Sequence, residues 1–271
     1  MSGVAPRYPL AHDLANDLAA WRRLLAGDAG EIARQPLFAP LLGAPAATDG
    51  CFVLGRIAQS LDGRIATASG ASRWIGGRED ILHTHRLRAL CDAVLVGAGT
   101  LRADDPQLTT REVEGPSPAR VVLDTDRRLD GTQHVFHHGP PTLLLCAEDA
   151  PARPAPGKAR VVHLPRDGAG LLSLAHALAF LAAEGLRRLC VEGGGITLSR
   201  FLAAGMLDRL HVTLAPLLLG AGIPAFTLPA AASPAQGLRV EWTVYPIGAD
   251  LLLDIPLHRV RPPSCRPQPR Q

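Results

Sequence analysis

The sequence predicts an α/β fold with a mixed, mostly parallel central sheet. From Cys51 onward, short apolar runs alternate with helical segments or turns, a pattern typical of α/β proteins. Several runs are almost continuously apolar, as expected for central strands that are covered on both faces. The last two segments, 238–245 and 249–255, flank a Pro-Ile-Gly turn and indicate an antiparallel hairpin. The sheet is therefore expected to be mixed rather than purely parallel.

Seven predicted strands precede the hairpin, and three helices connect some of them. The strands cover residues 51–58, 93–99, 119–125, 142–147, 160–165, 188–193 and 209–216. The helices cover residues 78–90, 173–185 and 196–205. Three consecutive glycines precede the last helix and Gly205 follows it, and such glycines mark a helix start and stop.

The two ends of the chain differ from this pattern. Residues 1–48 contain an amphipathic helical stretch over 13–25, followed by a Pro/Ala-rich segment, and we expect an N-terminal extension. Its apolar stripe must bury against the main domain or a second subunit. The stripe consists of Leu14, Leu18, Trp21 and Leu25. The main domain is expected over 49–258, and the Pro/Arg-rich residues 259–271 are expected to be a disordered tail.

Composition excludes several classes of protein. The 271 residues carry 28 Lys and Arg against 25 Asp and Glu, so the net charge of +3 disfavours a nucleic-acid partner. The longest mostly apolar run, 171–183, is shorter than the roughly 20 residues that span a bilayer. Asp13 and Asp17 interrupt any signal-peptide core, so a cytoplasmic location is expected. Five scattered cysteines without a C-x-x-C pair predict neither disulfides nor a metal site, and four of them are expected to be buried thiols.

A strand, three glycines and a helix follow one another in RLCVEGGGITLSRFLAAG, residues 188–205. Glycines let the backbone approach a ligand closely, and a helix start presents unpaired N–H groups and a positive dipole end to an anion. The run therefore predicts a phosphate-binding cradle. The alternative is a glycine-rich turn that serves only tight packing.

A second candidate region is VLVGAGTLRADDPQLTTR, residues 94–111. Arg102 stands where a G-x-G-x-x-G fingerprint requires its third glycine, which argues against a Rossmann site. The loop is instead dense in polar side chains. Its paired carboxylates, Asp104 and Asp105, suit acid/base chemistry if one of them is desolvated. The alternative is a turn, since Asp-Asp-Pro commonly initiates one.

Trp74 and the histidines leave alternatives open. Trp74 lies in a polar, Gly-rich segment and is either a lid over a planar ligand or a plug on the core. His83 and His85 are two residues apart, not the i, i+4 spacing that gathers metal ligands on one helical face. These two histidines, like His137 and His138, are therefore interpreted as surface or capping residues, and no metal is expected.

Five segments now become informative together, because they occur in a fixed order: SLDGRIA, SRWIGG, HRLRALCDAVLVGAGTLRADDPQLTTR, VEGGGITLSRFLAAGMLDRL and APLLLG. They resemble the C-terminal reductase domain of the bacterial riboflavin-biosynthesis deaminase/reductase over about residues 51–256. The resemblance implies a dihydrofolate-reductase-like, three-layer α/β/α fold. It also implies NADPH-dependent reduction of 5-amino-6-(5-phosphoribosylamino)uracil at the sugar C1′, with the ring-opened imine as hydride acceptor.

The resemblance also implies site residues. NADPH contacts are implied for Ala58, Trp74, Thr100, Asp104, Thr125, Gly194, Gly195, Ile196, Thr197, Leu198, Ser199 and Arg200. Substrate contacts are implied for Ser72, Arg88, Leu108, Arg111 and Glu192. Of these, Glu192 and Asp104 are the expected catalytic residues. Two arginines and a hydroxyl suit a ribose phosphate, because a guanidinium binds phosphate oxygens in a bidentate manner.

The chain departs from the family pattern in two ways. No H-x-E…P-C-x-x-C deaminase signature is present, so deamination is not expected. Arg56 stands where the riboflavin enzymes commonly carry Lys, which argues against a proton-donating role there. Gln59 replaces a small residue and would narrow the pocket if it pointed inward. A pterin, folate or natural-product substrate is therefore a second hypothesis, and a non-catalytic nucleotide-binding module is a third.

Two further expectations concern partners. A homodimer is expected, because family members commonly dimerise and the N-terminal stripe offers apolar surface. Arg127 and Arg128 are expected partners for a 2′-phosphate of the cofactor.

Overall fold

The computed structural model describes residues 17–45, 47, 49–257 and 259. Eleven strands are found among these residues. In chain order they are β1 (Phe52–Ser60), β2 (Arg64–Thr67), β3 (Ala93–Gly97), β4 (Ala119–Leu123), β5 (Thr142–Ala147), β6 (Arg160–Leu164), β7 (Arg188–Glu192), β8 (Arg209–Ala215), β9 (Gly222–Pro224), β10 (Thr243–Ile247) and β11 (Asp250–Pro256).

Nine of these strands form one sheet in the order β10-β11-β8-β1-β7-β3-β4-β5-β6. The seven strands from β8 to β6 are parallel, whereas β11 is antiparallel to both β8 and β10. The prediction of a mixed, mostly parallel sheet with a C-terminal hairpin is thus confirmed. Strands β2 and β9 form a separate antiparallel pair.

Helices cover both faces of the sheet. They are α1 (Leu18–Leu25), α2 (Ala29–Ala33), α3 (Ala39–Leu42), α4 (Arg78–Leu90), α5 (Ala98–Asp104), α6 (Leu174–Ala183) and α7 (Gly195–Ala203). Side chains of successive strand residues point to opposite faces. Val53 therefore joins the core beneath α6 and α7, while its neighbour Leu54 joins the core beneath α1, α3 and α4. This alternation gives three layers, α/β/α.

The N-terminal extension packs on its own chain. Trp21 and Leu24 are buried together with strand residues of the main domain, and the Trp21 indole N–H donates to the Glu114 carbonyl oxygen at 2.8 Å. Of the two partners left open for the apolar stripe, the main domain is therefore the correct one. Leu18, expected within the stripe, is exposed, and Leu14 lies outside the described residues. Asp17 caps α1 by accepting from Ala20 N–H.

Three elements differ from the predicted ones. The pair β2–β9 was not predicted, because strands of four and three residues carry no apolar run. Helix α5 was interpreted as a loop, because it begins in glycine-rich sequence and is only seven residues long. The first hairpin strand begins at Thr243 rather than at residue 238.

Cys51, Cys91, Cys146 and Cys190 are free, buried thiols, as predicted. The part of the chain that the structure describes contains no helix long and apolar enough to cross a membrane. The predicted disordered tail, apart from Arg259, lies outside the described residues, as does Cys265. Arg259 forms ion pairs with Asp49 and Asp208, which fasten it to the main domain.

Candidate functional site

A crevice opens where the chain leaves two neighbouring parallel strands in opposite directions. From β3 the chain enters α5 and continues to β4, whereas from β7 it enters α7 and continues to β8 on the other side. Such a switch point at the carboxyl ends of parallel strands creates a ligand crevice. A cavity of about 920 Å³ lies here, lined by residues of β1, β3, β7 and the starts of α5 and α7.

The glycines before α7 fit their surroundings closely. Gly193 has a φ of +104°, which side-chain-bearing residues rarely adopt, and a Cβ there would lie 2.8 Å from Thr100 Oγ1. A Cβ on Gly195 would lie 2.5 Å from the Ala225 carbonyl oxygen. Thr100 accepts from Gly194 N–H at 2.9 Å, which ties α5 to the start of α7. Tight packing therefore accounts for the glycines, and it also shapes the cavity wall.

The start of α7 also fits an anionic ligand. Its N-cap, Gly194, offers no side-chain acceptor, so the N–H groups of the first turn receive no cap. The first-turn residues Gly195, Ile196 and Thr197 line the cavity. A helix start of this kind binds phosphate through its N–H groups and the positive end of its dipole. The cradle and the packing interpretations of the triple glycine are thus both compatible with one geometry.

A buried ion pair lies at the end of β7. Glu192 accepts two hydrogen bonds from Arg88, Nε to Oε1 at 2.8 Å and Nη2 to Oε2 at 2.7 Å. The Arg88 side chain is 9% exposed and the Glu192 side chain is 8% exposed, and both residues line the cavity. Burial opposes ionisation of Glu192, but the Arg88 charge and hydrogen bonds outweigh it, and the pKa of this carboxyl falls below its usual value. Glu192 is therefore an ionised acceptor at neutral pH.

Arg56 is the cross-strand neighbour of Glu192 in the β1–β7 pair and also lines the cavity. Its guanidinium donates from Nη2 to Asp80, and Thr213 Oγ1 donates to the same carboxylate at 2.6 Å. Asp80 thus holds Arg56 in place as a fixed cation. Gln59, three residues further along β1, does not line the cavity, so it does not narrow the pocket.

The cavity mouth carries Ser72, Trp74 and Asp104. Ser72 Oγ donates to Asp104 at 2.7 Å, whereas Asp105 accepts from His134 N–H at 2.9 Å. The two exposed carboxylates therefore have separate partners, and the condition for a desolvated acid/base pair is not met. Trp74 is 82% exposed and lines the cavity, so it is not a plug on the core. Its role as a lid over a planar ligand stays a prediction.

Most of the expected site residues meet in this one cavity. Those that line it are Ala58, Ser72, Trp74, Arg88, Thr100, Asp104, Arg111, Thr125, Glu192, Gly194, Gly195, Ile196, Thr197 and Arg200. Their individual roles toward ligands stay predictions.

Four expected contact side chains lie elsewhere. Leu198 is buried in the core beneath α6 and α7, and Leu108 is buried in a separate apolar cluster on the other face of the sheet, beside β3 and β4. Ser199 Oγ accepts from Thr227 N–H at 2.8 Å and fixes the chain there. Arg127, expected at a 2′-phosphate, is buried and donates to the carbonyl oxygens of Arg153 and Pro154. Arg128 alone of that pair lines the cavity.

The interpretation of His83 and His85 as surface or capping residues is wrong, because both are buried within α4. His83 is buried, and its Nε2 lies 3.0 Å from Nδ1 of His211. His85 is 2% exposed and lines the cavity, a site residue that sequence reasoning missed. The available signal was its position on α4, one turn before Arg88. No group of three or more metal-ligating side chains is found among the residues described.

The structure is thus an α/β domain with a cavity at the carboxyl ends of its central parallel strands. Residues 52–245 match the RibD C-terminal domain family, and the chain belongs to that family. The prediction of an oxidoreductase is confirmed, because relatives that this chain covers over most of their length are reductases.

Two relatives and one solved structure illustrate the similarity. The Methanothermobacter thermautotrophicus 2,5-diamino-6-ribosylamino-4(3H)-pyrimidinone 5′-phosphate reductase is 34% identical over 210 residues, which cover 75% of this chain and 96% of that protein. Riboflavin biosynthesis protein RibD of Bacillus amyloliquefaciens is 34% identical over 175 residues, 62% of this chain but 46% of that protein. The structure of Acinetobacter baumannii RibD has a TM-score of 0.67 at 28% identity and covers 78% of this chain and 59% of that one.

Proposed function

We propose that the protein reduces a phosphoribosylaminopyrimidine at the sugar C1′, with NADPH as reductant, to the ribitylamino product. One observation carries the proposal. The uncapped start of α7 and the buried pair of Arg88 and Glu192 line the same cavity, and Glu192 ends the strand that leads into α7. A helix start suited to the phosphates of a cofactor therefore lies next to a polar site suited to a charged, hydrogen-bonding substrate.

The cofactor half of the cavity uses the start of α7. The pyrophosphate of NADPH is assigned to the N–H groups of Gly195, Ile196 and Thr197, since those groups receive no side-chain cap. Arg128, at the end of the cavity, is assigned to the 2′-phosphate, in competition with its exposed ion pair to Asp126 at 2.9 Å. NADPH, when bound, supplies the hydride, and the protein supplies orientation and charge.

The substrate half uses charges that the protein fixes in advance. Ionised Glu192 accepts hydrogen bonds from pyrimidine N–H groups with the lone pairs that Arg88 leaves unused. It does not donate a proton, since Arg88 keeps its pKa low. The Arg88 guanidinium is occupied by Glu192 and by the Thr109 carbonyl oxygen at 3.1 Å. Half-exposed Arg111 is therefore the cation best placed to receive the ribose phosphate.

Two pyrimidines are candidate substrates. One is 5-amino-6-(5-phosphoribosylamino)uracil, which the resemblance to the bifunctional deaminase/reductase implies, because deamination comes before reduction in those enzymes. The 2,5-diamino-pyrimidinone is the substrate named for the Methanothermobacter thermautotrophicus reductase, of which this chain covers 96%. This chain covers only 46% of RibD of B. amyloliquefaciens. The difference in coverage supports the diamino compound as a candidate substrate beside the uracil compound.

The test is NADPH oxidation with each pyrimidine, prepared enzymatically, in parallel with a dihydropterin and dihydrofolate. We expect turnover with at least one phosphoribosylaminopyrimidine and its loss in Glu192→Gln. Asp104→Asn, which disturbs the Ser72 contact at the mouth, is expected to raise the KM for NADPH more than it lowers kcat. Turnover only with a pterin or folate would replace the substrate assignment. Tight NADPH binding with no turnover of any acceptor would favour the non-catalytic module.

A homodimer is also proposed. The N-terminal stripe no longer supports it, because Trp21 is buried within its own chain. Other large apolar side chains are exposed on the main domain, among them Trp242, Leu217, Leu218 and Leu251. Apolar surface of this kind suits a two-fold interface. Light scattering is expected to give twice the mass of one chain, and a monomer mass would contradict the proposal.

A further inference from the structure

His85 is a buried titratable group in the cavity wall that the proposed reaction does not yet use. It lies on α4, one turn before Arg88, and the residue is 2% exposed. Its Nδ1 accepts a hydrogen bond from the Arg111 backbone N–H at 3.0 Å. The imidazole therefore fixes the backbone of the residue whose guanidinium is assigned to the ribose phosphate.

That contact also determines which ring nitrogen carries the proton. Because Nδ1 accepts, the neutral imidazole must carry its hydrogen on Nε2. Within residues 17–45, 47, 49–257 and 259, no hydrogen-bond partner of this nitrogen is present, although the ring lines the cavity. The Nε2–H group of His85 is thus a donor left for a ligand.

The charges around His85 indicate what kind of ligand it meets. The pKa of His85 is lowered to about 4, mainly by burial and then by the charges of Arg88 and Arg111, with a smaller effect of Arg56. The negative charge of Glu192 opposes this shift. The imidazole is therefore neutral at physiological pH and lies in a positive field. A positive field with a free N–H donor suits an anionic oxygen.

We propose that His85 is a specificity-determining residue that donates its Nε2–H to a phosphate oxygen of the phosphoribosyl substrate, beside the Arg111 guanidinium. This inference rests on the proposed function in requiring a ribose phosphate on the substrate. It adds a neutral donor to the arginine, and so favours the phosphorylated compound over its dephosphorylated counterpart. No proton is transferred in this role.

Two variants separate the ligand contact from the structural contact. His85→Asn retains an acceptor, its Oδ1, near the position of Nδ1, and loses the Nε2 donor. His85→Gln retains a donor near Nε2 and loses the Nδ1 acceptor. With the phosphorylated pyrimidine we expect His85→Asn to raise KM about tenfold or more, the effect of one hydrogen bond to a charged group. KM for the dephosphorylated pyrimidine, and kcat, should change far less, and His85→Gln should recover part of the loss.

A binding measurement keeps this test independent of turnover. Ribose 5-phosphate is titrated at millimolar concentration into the wild-type protein, and the His85 imidazole is followed by NMR, its signals being those missing in His85→Asn. We expect its Nε2 resonance to shift and its pKa to rise, because a bound phosphate adds negative charge. A shift without pyrimidine reduction would refute the proposed function and leave the His85 site standing.

Three outcomes would overturn the inference. One is ribose 5-phosphate binding that leaves the His85 resonances unchanged. Another is no binding at these concentrations. The third is an equal rise in KM for phosphorylated and dephosphorylated pyrimidines in His85→Asn, as a merely structural role of the ring would produce.

Discussion

Replacing Glu192 by Gln removes the charge from one half of a buried ion pair while preserving the shape of the side chain. Both Glu192 oxygens accept from Arg88, at 2.8 and 2.7 Å, and neither side chain is more than 9% exposed. The amide retains one acceptor but turns its NH₂ group toward a guanidinium that also carries only donors. The Arg88 charge is then left uncompensated in a buried site, which costs about 3–5 kcal/mol of unfolding free energy.

The pair Arg160 and Glu184 supplies a matched control. It has the same two-fold hydrogen bonding, at 2.6 and 3.0 Å, but its side chains are 58% and 32% exposed. Glu184→Gln is therefore expected to cost less than about 1 kcal/mol, as exposed pairs do. The double variant Arg88→Gln/Glu192→Gln is expected to regain part of the loss, because two amides can hydrogen-bond to each other without a buried charge.

The assay is urea unfolding followed by circular dichroism, with NADPH binding and turnover measured on the same samples. NADPH affinity should change little in Glu192→Gln, because the helix start that is assigned to the pyrophosphate remains intact. Turnover should be lost. A destabilisation of Glu192→Gln no larger than that of Glu184→Gln would refute the burial argument, and unchanged turnover would refute the role of the carboxylate.

Three further predictions concern the cavity wall and the core. Gly195→Ala should destabilise the protein by about 1–3 kcal/mol, because the added Cβ meets the Ala225 carbonyl oxygen. Gly99→Ala should not destabilise it, because a Cβ there meets nothing within 4 Å. Equal unfolding midpoints of the two variants would contradict this prediction. Thr100→Val should weaken NADPH binding severalfold by leaving Gly194 N–H without its acceptor, and Thr100→Ser should restore it in a fluorescence titration. Stability should fall as pH decreases from about 7 to 5, because burial lowers the pKa of His83 and His211 and the unfolded chain binds protons below an ordinary histidine pKa of about 6.5. Equal urea midpoints at both pH values would contradict the last prediction.

Local sequence signals placed most of the secondary structure. Helix α4 has the predicted bounds, and β5 as well, because an apolar run or a helical segment flanked by turn residues specifies its own conformation. The errors fall where the local signal is weak. Strands β2 and β9 are each too short to be predicted alone and are stabilised by pairing with each other. Helix α5 is short and is held against the start of α7 through Thr100.

The sequence alone determined the fold class, the family resemblance and the segments that line the cavity, because those properties depend on the order and periodicity of residues along the chain. It did not determine which side chains pair. Arg88 and Glu192 are 104 residues apart, and they meet because β7 inserts between β1 and β3 in the sheet. The same insertion places Glu192 opposite Arg56 and leaves His85 buried in the cavity wall rather than at the surface. Only tertiary structure decides such contacts, since burial and charge pairing depend on what other segments bring to the same point in space.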